Sequence, residues 1–418
     1  MSELMEQFEL VVIGAGPAGL AAAGRAAQKG AKSVLVLERN DVPGGILNQC
    51  IHDGFGVERF SQSLTGPEYV QRFLPALSDP AVTLKTSAMV LSLSKERVVT
   101  YADRTGLHSV QAGAIVLATG CRERTRGAIG VPGARPAGVY TAGVVQRLVN
   151  VENVRVGSRA VILGSGDIGL IMARRLTLEG VKVVCVLEKL PYCSGLLRNV
   201  RQCLQDYNIP LFLSTTVVEI LGNRHVEGVA AAEVDDCGVP IESTRRVIPC
   251  DTLVLSVGLI PENELFKGAG GVLDPATSGA LVDAHLMTSI PGVFSCGNGL
   301  HVHDLVDMVS SEAERAAENA LSFAQGKAAP YASIPVLAQN GVKYTLPRAV
   351  AAGEPTELLL RVACPGRMQT VVVSRGKATA ALQSHRRLTP AEMLRVPVPP
   401  QEAGEEALFV SLRQDAIL

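Results

Sequence analysis

Residues 10–24 read Leu-Val-Val-Ile-Gly-Ala-Gly-Pro-Ala-Gly-Leu-Ala-Ala-Ala-Gly: an apolar strand, a turn built on Gly14, Gly16 and Gly19, and an Ala-rich helix opened by Pro17 and Ala18. Glycines at this spacing serve dinucleotide chemistry. The first permits a tight reversal, the second lets the backbone approach a pyrophosphate, and the third lets the helix pack closely on the strand. The helix start then turns free N–H groups toward the phosphates. Such a site needs a carboxylate at the end of the next strand to hold a ribose hydroxyl pair. Ser33-Val-Leu-Val-Leu-Glu38 provides it, 38 − 14 = 24 positions on. The pattern returns in Ala160-Val-Ile-Leu-Gly-Ser-Gly-Asp-Ile-Gly169, with Gly164, Gly166, Asp167, Ile168 and Gly169 leading into a helical segment. The strand after it ends in Glu188, and 188 − 164 = 24 again. Two copies at one spacing predict two dinucleotide-binding units and two dinucleotides. Glu188 repels a 2′-phosphate, so the second unit is expected to take NAD rather than NADP, an inference that Lys189 weakens slightly.

Other side chains are candidates for chemistry. Cys50 and His52 lie in a glycine-dense segment, Arg39 to Gly56, that reads as a loop beside the first cofactor. A thiol with an imidazole two positions on could form a redox pair, and a plain packing role for both stays open. His301 and His303 face one side if their stretch is extended. No third ligand stands near them in the sequence, so no metal site is expected, and contact with cofactor or substrate is weighed against a structural role. Asp304 is expected to cap a long helix running from Leu305 to roughly Gln325. Arg122, Arg124 and Arg126 could grip a phosphate or pair with Glu123 and its neighbours.

The elements that must position these groups follow from hydropathy. Strands alternate over 82–116, residues 66–78 read as one amphipathic helix, and Ala114 to Leu117 runs as a buried strand into Ala118-Thr119-Gly120. Cys250 to Gly258 repeats that strand-to-glycine form, and Val293 to Cys296 is a further strand. From Ala328 proline recurs between short strands, which marks a separate small β-rich domain. The chain of 418 residues carries 39 basic and 40 acidic side chains with few aromatics, so no nucleic-acid partner is expected. No apolar run reaches membrane-spanning length, and the N-terminal apolar run reads as the nucleotide-binding strand rather than a signal peptide. Nine cysteines, none in C-x-x-C, argue against a zinc ribbon, an iron–sulfur cluster or a thioredoxin-type pair within this chain, and suit reduced cytoplasmic thiols.

This layout resembles the two-dinucleotide-binding-domain flavoproteins of the pyridine nucleotide–disulfide oxidoreductase family over residues 8 to about 325. The resemblance implies an α/β protein with two Rossmann-like domains, the NAD domain inserted in the FAD domain, plus the C-terminal β-rich domain. The expected boundaries are 1–150 and 260–327 for FAD, 151–259 for NAD and 328–418 for the last domain. By resemblance, Gly14, Gly16, Pro17, Ala18, Gly19, Glu38, Arg39, Gly45, Ile46, Val90, Ala118, Thr119, Gly120, Gly297, Asn298, Asp304 and Leu305 form the FAD site. Gly164, Gly166, Asp167, Ile168, Gly169, Glu188 and Gly258 form the NAD site. Gly297-Asn298 stands where the family has Gly-Asp for the ribityl chain, and Gly44-Gly45 is followed by Cys50 without a partner cysteine, which disfavours dithiol reduction.

Three longer stretches, Gly44 to Gly56, Cys121 to Gly127 and Cys296 to Asp307, are similar to a narrower bacterial group encoded beside a glycerol-3-phosphate dehydrogenase-like protein and a small Cys-rich protein. The architecture is also similar to the alpha-type subunits of opine, proline and cyanide-forming amine dehydrogenases. The resemblance implies an FAD-dependent oxidoreductase passing hydride or electrons between NAD(H) and flavin, within a multi-subunit dehydrogenase acting on a small metabolite. Its partners would be a small Cys-rich electron carrier and a dehydrogenase subunit, and it would form an oligomer. Two alternatives remain: an electron-transfer or docking subunit without substrate chemistry, and a thiol or peroxide reductase using Cys50. Cys50, His52, His301 and His303 are the candidate catalytic residues.

Overall fold

The computed structural model describes residues 5–415. It divides into two compact units: the chain up to Cys121 together with everything from Pro261, and the segment from Arg122 to Ile260. Among the described residues no helix is long and apolar enough to cross a membrane.

In the first unit, strands β1 (Glu6–Ile13) and β2 (Val34–Leu37) flank helix α1 (Pro17–Gln28), and β3 (Val82–Lys85), β4 (Met89–Leu93), β5 (Val98–Asp103) and β6 (Gly106–Leu117) complete the path. The sheet order is β3-β2-β1-β6-β5-β4, with Val293–Ser295 added to the C-terminal half of β6. Pairing is parallel from β3 to β6 and antiparallel in the β4–β5–β6 meander. Leu10, Val11 and Val12 and the whole of β2 are buried, as central parallel strands covered on both faces must be. The segment 66–78 is not the single helix that its periodicity predicts. An α-turn over Gly66–Gln71 gives way to a 3-10 turn at Leu74–Ser78, where Pro75 has no N–H to continue the α-helical ladder.

The second unit carries a five-stranded parallel sheet of β7 (Val139–Thr141), β8 (Arg159–Leu163), β9 (Lys182–Leu187), β10 (Leu211–Phe212) and β11 (Thr252–Leu255), ordered β10-β9-β8-β11-β7. Helix α2 (Asp167–Leu178) follows β8. Residues 122–150, expected with the first domain, fall in this unit because β7 pairs with β11 and so carries the helix behind it into the second sheet. An antiparallel sheet of residues 215–221, 228–233 and 246–249 lies in the same unit.

Beyond helix α3 (Val306–Ala324), the C-terminal strands form a five-stranded and a three-stranded sheet. Ile334, Val371 and Leu408 of one and Leu358, Leu360 and Val396 of the other meet in one apolar core. These strands belong to the first compact unit.

Candidate dinucleotide cradles and the histidine loop

At the end of β1, Gly14 adopts φ 101°, and a Cβ there would stand 2.4 Å from the carbonyl oxygen of Ala118. A Cβ on Gly19 would meet the Gly14 oxygen at 1.7 Å. Packing alone therefore fixes both residues as glycine. Gly16 is different. Its φ is −70°, open to any residue, and the nearest atom to an added Cβ is 4.0 Å away, on Gly45. Among the described residues nothing requires glycine at position 16; a backbone that receives a pyrophosphate would. Helix α1 begins there with Pro17 at its first position, no side-chain cap and no acidic residue in its first turn, which suits an anion.

The second turn repeats this logic. Gly164 has φ 103° with Ser256 O at 2.0 Å from a built Cβ, and Gly169 would strike Gly164 O at 2.6 Å. Gly166 sits at φ −63° with nothing nearer than 3.9 Å. In both turns the middle glycine keeps space that the chain itself does not fill.

Both acids are buried, Glu38 at 4% and Glu188 at 6% exposure. Glu38 Oε2 accepts the Ala15 amide at 2.8 Å and Oε1 the Asn40 amide at 2.8 Å. Glu188 Oε2 accepts the Ser165 amide at 2.9 Å, the Ser165 hydroxyl at 2.6 Å and the Ser194 hydroxyl at 3.0 Å, while Oε1 takes the Leu190 amide at 3.0 Å. Asp167 Oδ1 accepts Leu196 N and Asn199 Nδ2. Ile168 follows it in the first turn of α2, and Gly258, at φ 104°, accepts the Arg124 amide. Arg126 spends its guanidinium on the carbonyls of Val131, Gly133 and Ala134, and Glu123 accepts the Gly143 amide.

Around the first cradle, Gly45 and Ile46 open a 3-10 turn, with Ile46 55% exposed. Arg39 pairs with Glu262 at 3.1 Å, and Thr119 donates its hydroxyl to the Glu262 carbonyl at 2.7 Å. Ala118 and Gly120 flank that threonine after β6, and Val90 is buried in β4 opposite Tyr101. Cys50 Sγ lies 3.3 Å from the Ile46 carbonyl; His52 contacts the Asp53 carbonyl and the Phe55 ring. All nine cysteines are free thiols.

The loop before α3 departs most from expectation. Asp304 does not cap the helix. Leu305 occupies the cap position without a side-chain bond, and the Asp304 carboxylate is taken by the Arg361 guanidinium and the Met393 amide. Asn298 Oδ1 accepts the His303 amide at 3.0 Å. The third partner that the sequence did not offer to His301 and His303 is Glu312, two turns into α3. His301 Nε2 stands 3.1 Å and His303 Nε2 3.4 Å from Glu312 Oε2, while Oε1 accepts the Gly297 amide at 2.7 Å. Burial raises the Glu312 carboxyl, but His303 and His301 beside it more than offset this and hold it far below the ordinary carboxylate range. Burial likewise pushes the His301 imidazole below its usual value. Sequence reasoning also missed Ser165 and Ser194 on Glu188, and Arg361, which additionally donates to the Val302 carbonyl.

A family model for the pyridine nucleotide-disulphide oxidoreductases matches residues 8–320. The chain belongs to that family. Both glycine turns, Gly14 to Gly19 and Gly164 to Gly169, lie within the matched residues. Among curated relatives it is 27% identical over 320 residues to the A subunit of opine oxidase from Agrobacterium tumefaciens (strain Ach5), covering 71% of this chain and 62% of that one. It is 27% identical over 280 residues to the HcnB subunit of hydrogen cyanide synthase from Pseudomonas aeruginosa, covering 62% and 59%. The match thus spans about three fifths of these relatives' length. Thioredoxin reductase of T. acidophilum shares the fold, with a TM-score of 0.63 at 24% identity over 77% of this chain and 100% of that one.

Proposed function

We propose that this family member passes hydride between NAD(H) and a resident FAD, as a subunit of a larger dehydrogenase that acts on a small metabolite. The observation that carries the reading is the pair of middle glycines, Gly16 and Gly166, whose space the protein leaves unfilled. Bound flavin supplies the hydride acceptor. The chain's part is to seat it: Gly16 and the start of α1 receive the pyrophosphate, Glu38 the ribose hydroxyls, and Asn298, whose Oδ1 is already taken, offers Nδ2 to the ribityl chain. Gly166, the start of α2 and Glu188 hold the nicotinamide dinucleotide in the same manner, with NAD preferred to NADP because Glu188 opposes a 2′-phosphate. Membership of a larger enzyme draws on the opine oxidase and cyanide synthase relatives, both named as subunits. A small Cys-rich electron carrier, a partner dehydrogenase subunit, an oligomeric assembly and a cytoplasmic setting complete the proposal, the last supported by nine free thiols.

The test is anaerobic. The purified chain should be yellow, and NADH should bleach its flavin band within a turnover. Amino acids, opines and glycerol phosphate should be oxidised only when products of neighbouring genes are added. A colourless chain that cannot be loaded with FAD, or one whose flavin ignores both NADH and NADPH, would sink the reading. The thiol-reductase alternative is separated by Cys50→Ser: unchanged NADH-dependent turnover with dyes and disulfides removes it.

A further inference from the structure

The His301–His303–Glu312 cluster has a hydrogen-bond inventory that does not close. His303 Nδ1 faces the carbonyl oxygen of His301 at 3.0 Å. A carbonyl only accepts, so that nitrogen carries the hydrogen, and in the neutral ring Nε2 is left as a lone pair. This lone pair is buried, has no hydrogen-bond partner, and points at a carboxylate oxygen, Glu312 Oε2, at 3.4 Å. Two lone pairs facing each other in a buried site repel unless a positive charge lies between them. His301 Nε2 converges on the same oxygen at 3.1 Å, and both imidazoles and the carboxylate are at most 4% exposed.

The spacing fits a metal ion. Donors bound tetrahedrally at about 2.0–2.2 Å from zinc lie about 3.3–3.6 Å from one another; the 3.4 Å from His303 to Glu312 falls in that range and the 3.1 Å from His301 just below it. One donor atom from each of the three side chains lies within 4.8 Å of the other two. The supports around them are those that metal ligands use: a ring N–H on a backbone carbonyl that fixes the tautomer of His303, and a backbone amide, Gly297 N, on the second carboxylate oxygen. The guanidinium beyond the loop, Arg361, is matched by Asp304, so it does not leave a second uncompensated cation near the site.

We infer that His301 Nε2, His303 Nε2 and Glu312 Oε2 form a binding site for one divalent first-row metal ion of the zinc type, which pins the 297–305 loop to α3. Two imidazoles and a carboxylate are the donor types that such ions take. The site shares the 297–305 loop with Gly297 and Asn298, which the proposed function gives to the flavin, but its three donor atoms take no part in that reading.

The experiment uses the full chain. After stripping with dipicolinate, it is titrated with Zn2+ against a chromophoric chelator and, separately, with Co2+ while the visible spectrum is followed above the flavin bands. The expected result is one ion per chain, tetrahedral Co2+ bands, and a thermal midpoint that falls on stripping and returns with Zn2+. Glu312→Gln and His303→Gln should each weaken uptake at least about tenfold, while His225→Gln, outside the cluster, should bind as the parent does. If either cluster variant fails to fold, stoichiometry and midpoint recovery in the unmodified chain decide the matter. No saturable uptake by the stripped chain overturns the inference and leaves a proton as the missing charge. Uptake that persists undiminished in both variants overturns it equally, by placing the ion elsewhere.

Discussion

Glu38 and Glu188 end equivalent strands, and each accepts the amide one residue past the first glycine of its turn, at 2.8 and 2.9 Å. Beyond that bond their surroundings diverge. Glu38 receives one further amide, from Asn40, whereas Glu188 receives two hydroxyls and a second amide. The helix starts differ in the same sense: α1 has no acidic residue in its first turn, while α2 begins with Asp167. A carboxylate has about four lone-pair positions. About half of those on Glu38 are free for a ribose, whereas on Glu188 three donors crowd Oε2 and a fourth takes one position of Oε1. A dinucleotide entering the second cradle must displace bonds that the first does not have. On the proposed function, one spacing would serve two binding regimes, a resident carrier in the first turn and an exchanging one in the second.

The comparison can be broken most directly at the middle glycines. Gly16→Ala and Gly166→Ala both have room for the methyl group, so both chains should fold. We expect Gly16→Ala to purify with at least about tenfold less flavin, because the methyl occupies the place where the backbone meets pyrophosphate. Gly166→Ala should keep its visible spectrum and show a raised KM for NADH. Wild-type bleaching by NADH in both variants would end the reading. A smaller effect is expected at the acids. Glu38→Gln turns an amide donor or a weaker acceptor toward the Ala15 N–H, a loss of about 1–3 kcal/mol that should lower FAD affinity roughly ten- to hundredfold. At Glu188→Gln the two serine hydroxyls can rotate to accept from the new amide. KM for NADH should rise only a few fold, with NADPH becoming a better donor; equal losses at both acids would erase the distinction. Smallest is Ser165→Ala, which removes a competing donor from Glu188. It should cost about 1 kcal/mol of stability in a thermal melt while lowering KM for NADH. An unchanged or higher KM would show that this hydroxyl does not compete with the ribose.

Much of this was legible in the sequence where chemistry dictates residue type. The two glycine turns, the acids 24 positions on and the buried strand leading to Ala118 could be read because few other residues satisfy those positions. What escaped was set by partners distant in the chain. Glu312 reads as an ordinary polar residue of an amphipathic helix until the loop folds His301 and His303 against it. Asp304 has the composition and place of a helix cap, but Arg361, 57 residues on, competes for its carboxylate and wins. The break in 66–78 was signalled by Pro75, which periodicity alone outvoted. Ser165 stood in plain view between two glycines, yet a variable position in a motif says nothing of which oxygen its hydroxyl will reach.

Arg361 reaches from a C-terminal strand to the carbonyl of Val302 and the carboxylate of Asp304. The last ninety or so residues are therefore tied to the loop that leads into α3. A chimera that imports another tail without a guanidinium at this spot would leave a buckle unfastened on the segment that leads into α3.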